Sequence, residues 1–228
     1  MGDVPDDVPQ WRKQRRAQLL AAREAVDAAT LEHWRVAIDR HLEQGFPGLA
    51  RMTVGLYWPH RGEYDARHLA ARWREHGART ALPVVNKARE PLIFREWHPG
   101  VKMQSGVLGI PFPVESAEVR PAALLMPPVG FDGAGYRLGY GGGFFDRTLA
   151  AANPRPVAIG VAYELGRLPT IYPQPYDMPM DYVVTERGVY RRDGERLEFL
   201  GAPPDGEPAD RASAVCYAGE AERTEFKS

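Results

Sequence analysis

The stretch GYRLGYGGGFFDRTLA, residues 135–150, places four glycines within the five positions Gly139 to Gly143, directly ahead of a helix-forming run. Glycine inside an ordered element is disfavoured by roughly 0.5–1 kcal/mol relative to alanine. A cluster this dense therefore points to a job for the backbone itself. Successive bare N–H groups can curl into a nest for an anion, and the start of the following helix adds positive dipole. Arg137 stands two residues before the first glycine and Asp146 three residues after the last. A full positive charge, a nest and a carboxylate able to share Mg²⁺ with phosphate oxygens together suit a nucleoside triphosphate. The competing reading is a tight turn, with Asp146 as a helix-dipole partner. The segment has neither the Gly-Lys-Ser/Thr of a P-loop nor G-x-G-x-x-G with a downstream acid.

The flanking sequence predicts the frame. Residues 8–28 and 30–44 read as helices, the first with Asp7 and Pro9 at its start. RMTVGLYWP (51–59) reads as a buried strand. YDARHLAARWREHG (64–77) reads as a helix ending at Gly77. TALPVV, PLIFREW and AALLMPPV (122–129) read as strands, residues 144–152 as a short helix closed by Asn153-Pro154, and PVAIGVAY (156–163) as a strand buried in a parallel sheet. DYVVTE (181–186) is a last core strand, followed by a hairpin around Asp193-Gly194. Alternating strands and helices predict an α/β fold, a Rossmann-like three-layer sandwich with a mostly parallel central sheet and helices on both faces. The expected organisation is a single α/β domain over residues 1–200 and a loose tail over 201–228. In such sheets ligands sit beyond the carboxyl ends of the strands, where the glycine run follows the LLMPPV strand.

Composition narrows the partners. A net charge of −1 over 228 residues leaves no global basic field for nucleic acid or an anionic membrane. The single cysteine, Cys216, excludes an intrachain disulfide framework and fits a reducing, cytoplasmic setting. No apolar run reaches the roughly 18–20 residues of a membrane span, and the N-terminus lacks the apolar core of a secretory signal. The expectation is a protein without nucleic-acid or membrane partners, a monomer or weak homodimer. The basic cluster RKQRR (12–16) belongs to no wider basic stripe.

GFDGAGYRLGYGGGFFDRTL resembles the signature of the 5-formyltetrahydrofolate cyclo-ligase family, the methenyltetrahydrofolate synthetases. The likeness extends in order through WRKQRRAQL, YWPHRGEYDARHL, ALPVV, GVLGIPFP and YDMPMDYVVTE, roughly residues 10–190. It implies an ATP- and Mg²⁺-dependent ligase acting on a reduced folate. ATP phosphorylates the formyl oxygen of 5-formyltetrahydrofolate, a second folate nitrogen attacks the activated carbon, and phosphate leaves as 5,10-methenyltetrahydrofolate forms. By the same likeness Arg137, Leu138, Gly139, Tyr140, Gly141, Gly142, Gly143, Phe144 and Phe145 line the ATP phosphates. Tyr140, the glycines 141–143 and Phe144 also border the substrate. Arg12 and Arg16 reach ATP, Asp146 and Asp177 hold Mg²⁺, and Glu63 contacts the folate with Trp58 lining its pocket. Arg137 and Glu63 are the candidate catalytic residues.

Without the likeness, several of these residues have plainer readings. Arg12 and Arg16 fit a solvated helix face, Trp58 fits the core, and Glu63 and Asp177 fit turns. The chain also departs from the family pattern. Arg12 stands for a lysine. Phe112 takes the acid's place in Gly109-Ile110-Pro111-Phe112-Pro113, with Glu115 two residues past Pro113. Phe144 and Phe145 replace tyrosines, and Tyr176-Asp177 replaces His-Asp. These changes leave the triphosphate and metal parts intact but alter possible folate-side contacts. Two alternatives therefore stay open: an ATP-dependent paralogue acting on a non-folate small molecule, and a non-catalytic ATP- or folate-binding module.

Overall fold

A computed structural model of the protein describes residues 4–202. The tail expected beyond residue 201 falls, from residue 203, outside the described residues, as does Cys216. In chain order the elements are α1 (Val8–Glu24), α2 (Ala28–Gly45), β1 (Thr53–Gly55), α3 (Arg67–Glu75), β2 (Arg79–Val84), β3 (Ile93–Glu96), β4 (Met103–Ser105), β5 (Pro111–Pro113), β6 (Glu118–Val119), β7 (Ala123–Met126), β8 (Gly130–Asp132), β9 (Arg137–Leu138), α4 (Phe144–Ala151), β10 (Val157–Val161), β11 (Arg167–Leu168), β12 (Tyr182–Thr185), β13 (Gly188–Asp193) and β14 (Arg196–Gly201).

Local chemistry sets the boundaries. Asp7 caps α1 by accepting from the Gln10 amide at 2.8 Å. The first helix stops short of the expected residue 28 because the Asp27 carboxylate accepts from the Thr30 amide and hydroxyl, starting α2. α3 begins later than the expected residue 64, since Asp65 turns back to accept from the Arg67 amide. The hairpin β13–β14 turns at Gly194, whose φ of 56° is left-handed.

Nine strands form one sheet in the order β14-β13-β12-β10-β7-β1-β2-β3-β6. From β12 to β2 every junction is parallel, and both edges are antiparallel. The parallel strands are buried on both faces, so they read as unbroken apolar runs rather than alternating ones. All four residues of β7 are buried. Ala123 and Leu125 face Ile38, Leu42, Leu69 and Trp73 of α2 and α3. Leu124 and Met126 face the opposite layer with Leu149 of α4. Helices therefore cover both faces, as the three-layer expectation holds. Among the described residues no helix is long and apolar enough to cross a membrane.

Two small sheets were not legible in the sequence. β4 pairs with β5, and β8 lies between β9 and β11. The second matters for the site. Leu19 and Leu20 of α1 pack with Val129, Leu138, Leu168 and Ile171 around it, which fixes α1 over the segments that follow β7 and β10. Asp132 builds the turn of this sheet: its Oδ1 accepts from the Ala134 and Tyr136 amides, and its buried Oδ2 from Ile171.

The chain leaves β1 toward β2 on one side and β7 toward β10 and β12 on the other. β1 and β7 are neighbours, so the strand order reverses between them, and such a reversal opens a crevice at the carboxyl ends. Close packing at this centre needs glycine in β10. A Cβ on Gly160 would collide with Met180 Sδ and lie 3.3 Å from Pro128. Gly160→Ala should therefore lower stability by about 1–3 kcal/mol in urea unfolding, whereas Gly133→Ala, with open space at its Cβ, should change it little. Equal effects would contradict this packing.

Candidate active site

Three segments meet at the crevice: the turn after β1, the segment after β7, and α1. α1 contributes a stripe of arginines, Arg12, Arg16 and Arg23, at helical spacing. Each reaches a different part. Arg12 donates to the carbonyls of Ile171 and Tyr172 and to both oxygens of Asp177. Arg16 donates through Nε to the Gly139 carbonyl. Arg23 donates to the carbonyls of Arg61 and Pro128 and to the Tyr140 hydroxyl.

The glycine run joins β9 to α4. Gly141 and Gly143 take φ of 97° and 62°, which only glycine adopts freely. Three of its carbonyls are held: Gly139 by Arg16, Gly142 by Nη2 of Arg147 at 2.7 Å, and Gly143 by the Arg147 amide at 3.2 Å. Its amides are not. No N–H of residues 139–143 donates to another group among the described residues, and Tyr140, Gly141 and Gly142 are exposed. The half-buried Arg16 has no carboxylate partner among the described residues, and its guanidinium lies beside Gly141, 3.7 Å from where a Cβ would stand. Burial and the neighbouring Arg12 both lower its pKa from the usual arginine value. A desolvated cation facing unbonded amides is an anion-binding arrangement.

Arg137 supports the run from below. It is buried, donating to the Met178 carbonyl at 2.7 Å and to Asp146 Oδ1 at 2.7 Å. Asp146 Oδ1 also accepts from the Met178 amide, while Oδ2 has no hydrogen bond among the described residues, with the side chain 21% exposed. Asp177 differs. Arg12 engages both its oxygens, and Oδ2 accepts from the Gln174 amide as well. Among the described residues no group of three or more His, Cys, Asp or Glu side chains could hold a metal ion unaided.

Glu63 lies at the other end of the crevice. Its Oε2 accepts from the His60 amide at 2.9 Å, and its Oε1 from the Tyr140 hydroxyl at 2.8 Å. Arg23 Nη2 stands 3.7 Å from Oε1. Burial dominates over these favourable contacts and pushes the carboxyl up to about 7. The Tyr140 phenol is raised above its ordinary value by burial and by Glu63, so it serves as a donor.

The structure thus gathers Arg12, Arg16, Arg137, the glycine run, Tyr140, Asp146, Asp177 and Glu63 around one crevice. It sends others elsewhere. The Leu138 side chain is buried under α1, and Phe145 packs against the α4 layer. Phe144 is half-buried under the Arg147 guanidinium. Trp58 takes Trp97 and Arg67 of α3 as its partners rather than the Glu63 cluster. Glu115, the acid nearest the altered Gly-Ile-Pro-Phe-Pro segment, is exposed and pairs with Lys102. The sequence reading missed Arg23 and Arg147. A basic residue in line with Leu19 and Leu20 on the buried face of α1 was the available signal for Arg23.

The model of the 5-formyltetrahydrofolate cyclo-ligase family matches residues 8–186. A 5-formyltetrahydrofolate cyclo-ligase of Mycolicibacterium smegmatis is 33% identical over 190 residues, covering 79% of this chain and 97% of that protein. One from Escherichia coli K12 is 30% identical over 151 residues, covering 63% and 83%. The solved structure of Aquifex aeolicus 5,10-methenyltetrahydrofolate synthetase superposes with a TM-score of 0.70 at 28% identity, covering 83% of this chain and 97% of that one.

The raised Glu63 carboxyl is directly measurable. Its folded value lies above the ordinary 4.5, so its contribution to stability is complete below about 4.5 and is lost as pH rises through about 7. Carbon NMR of labelled glutamates should show Glu63 titrating near 7. Tyr140→Phe, which removes a donor to the ionised form, should move it higher still. Titration of Glu63 in the ordinary carboxylate range would contradict the burial argument.

Proposed function

The chain belongs to the 5-formyltetrahydrofolate cyclo-ligase family, and we propose that it converts 5-formyltetrahydrofolate to 5,10-methenyltetrahydrofolate with ATP and Mg²⁺. It is a ligase. The observation that carries the ATP part is Arg16, a half-buried cation with no acid partner among the described residues, set beside the unbonded amides of 139–143.

When bound, ATP supplies the phosphoryl group that makes the formyl oxygen a good leaving group, and Mg²⁺ spreads the charge of the phosphates. The chain's own residues bind and position. The amides of the glycine run and the first turn of α4 hold the terminal phosphates, with Arg16 adding charge. Arg137 is not free to roam: its bonds to Met178 and Asp146 fix the base of the run. Asp146 fits a shared Mg²⁺, because Oδ2 keeps open lone pairs at a partly exposed edge. Asp177 fits that role poorly, since Arg12 holds both of its oxygens; its work is to orient Arg12.

Glu63 serves the folate side. A carboxylate accepts hydrogen bonds from a pterin's amino and ring N–H groups. The attacking folate nitrogen must also lose its proton, and a carboxyl near 7 is matched to receive it at neutral pH. Phe144 and Phe145 bring no hydroxyl, so the chemistry rests on positioning and charge rather than on a nucleophilic side chain.

Formation of the methenyl product can be followed by its absorbance, with ADP release measured in parallel. ATP turnover with other formylated compounds and none with 5-formyltetrahydrofolate would overturn the folate reading. Arg16→Gln should raise KM for ATP roughly 10- to 100-fold, the worth of a hydrogen bond to a charged group, without lowering the melting temperature. Asp146→Asn should weaken Mg·ATP use far more than folding, since a first-turn acid adds only about 0.3–1 kcal/mol through the dipole. Unchanged ATP kinetics in both variants would contradict the grip.

A further inference from the structure

In the described arrangement Glu63 is out of a substrate's reach. Its side chain is 3% exposed. The void beside it, bounded by Arg23, Pro128, Val161 and Tyr163, measures about 10 Å³. That is room for about one water, not for a bicyclic ring. The group standing between Oε1 and solvent is Tyr140, an exposed residue whose ring lies against His60. Its hydroxyl donates to Glu63 and accepts from Arg23 Nη2 at 2.8 Å.

The two ends of this contact differ in firmness. Arg23 and Glu63 are bound to the turn at 60–63 and to the segment after β7. Tyr140 sits in the middle of the glycine run, whose amides have no protein partner among the described residues. On either side only carbonyls are clamped, Gly139 by Arg16, Gly142 by the Arg147 side chain and Gly143 by the Arg147 amide. The Tyr140 hydroxyl therefore ties the run to the carboxylate across the crevice.

Resting on the function proposed above, we propose that Tyr140 is a latch that couples the folate and nucleotide sites. A pterin that takes Glu63 must displace the Tyr140 hydroxyl. Phosphates that draw the glycine run onto themselves must break the same contact. Either ligand alone bears the cost of opening, and the second binds a run and a carboxylate already released. The result is mutual tightening without direct contact between the two ligands. The coupling is reciprocal by linkage. Tyr140 is a positioning residue in this scheme, touching the site through Glu63 and the backbone it carries.

The test is equilibrium binding of a non-hydrolysable ATP analogue with Mg²⁺, with and without saturating 5-formyltetrahydrofolate. The wild type should bind the analogue about 10-fold tighter when the folate is present, within the range of such couplings. Tyr140→Phe keeps the ring and removes the hydroxyl. It should bind each ligand alone more tightly than the wild type, and the coupling should fall below about twofold. The melting temperature of the variant shows whether it is folded, and Tyr140→Leu repeats the measurement without the ring. Equal coupling in wild type and variants, with binding intact, would overturn the latch alone. Failure of the wild type to bind either ligand would overturn the functional reading and the latch with it.

Discussion

The site depends on a division of labour within one short backbone segment: the protein holds the carbonyls of Gly139, Gly142 and Gly143, and the amides of residues 139–143 are left unbonded among the described residues. Arg16 and Arg147 take the Gly139 and Gly142 carbonyls. With those oxygens pinned, the peptide planes that carry the Tyr140 and Gly143 amides are fixed at their carbonyl ends. A buried amide without a partner costs about 1–3 kcal/mol, so such a set is sustainable only at an exposed edge. Tyr140, Gly141 and Gly142 lie at one. Side chains at the glycine positions would defeat the arrangement locally. A Cβ on Gly143 would meet the Arg147 guanidinium at 2.9 Å, and Gly141 and Gly143 both need left-handed φ.

The sheet explains why this segment sits where it does. Strand order reverses between β1 and β7, so the turn carrying Glu63 and the segment leading to the glycine run leave adjacent strands at the same edge. α1 then lies across that edge, anchored by Leu19 and Leu20. Its arginine stripe meets three separate acceptors: the Asp177 loop, the glycine run, and the Glu63 turn. One helix thus ties together elements up to 165 residues apart in sequence. Two of the stripe's three arginines face an acid, Arg12 at Asp177 and Arg23 at Glu63. Arg16 is the exception, and an anion at the run would complete it.

The sequence was most readable where one residue class has one dominant use. The unbroken apolar run of β10 identified a strand buried in a parallel sheet, and the glycine run with its flanking Arg137 and Asp146 pointed to the crevice. It was least readable where function depends on pairing across the fold. Arg23 looked like any basic helix residue, and its partners Glu63 and Tyr140 lie far along the chain. Asp177 was grouped with Asp146 as a metal ligand by family likeness, yet Arg12 occupies it. Asp132, within the signature, builds a turn through three amides. Leu138 is conspicuous in the signature but serves the packing under α1.

The central claim is that the bare amides of the glycine run bind the terminal phosphates. Nitrogen–proton NMR of the backbone, titrated with Mg²⁺ and a non-hydrolysable ATP analogue, tests it most directly. The account predicts the largest shifts at the amides of Gly139 and Gly141–Gly143, saturating together with Arg16 Nε. Saturable binding that leaves those amides unmoved, with shifts confined to another face, would contradict it.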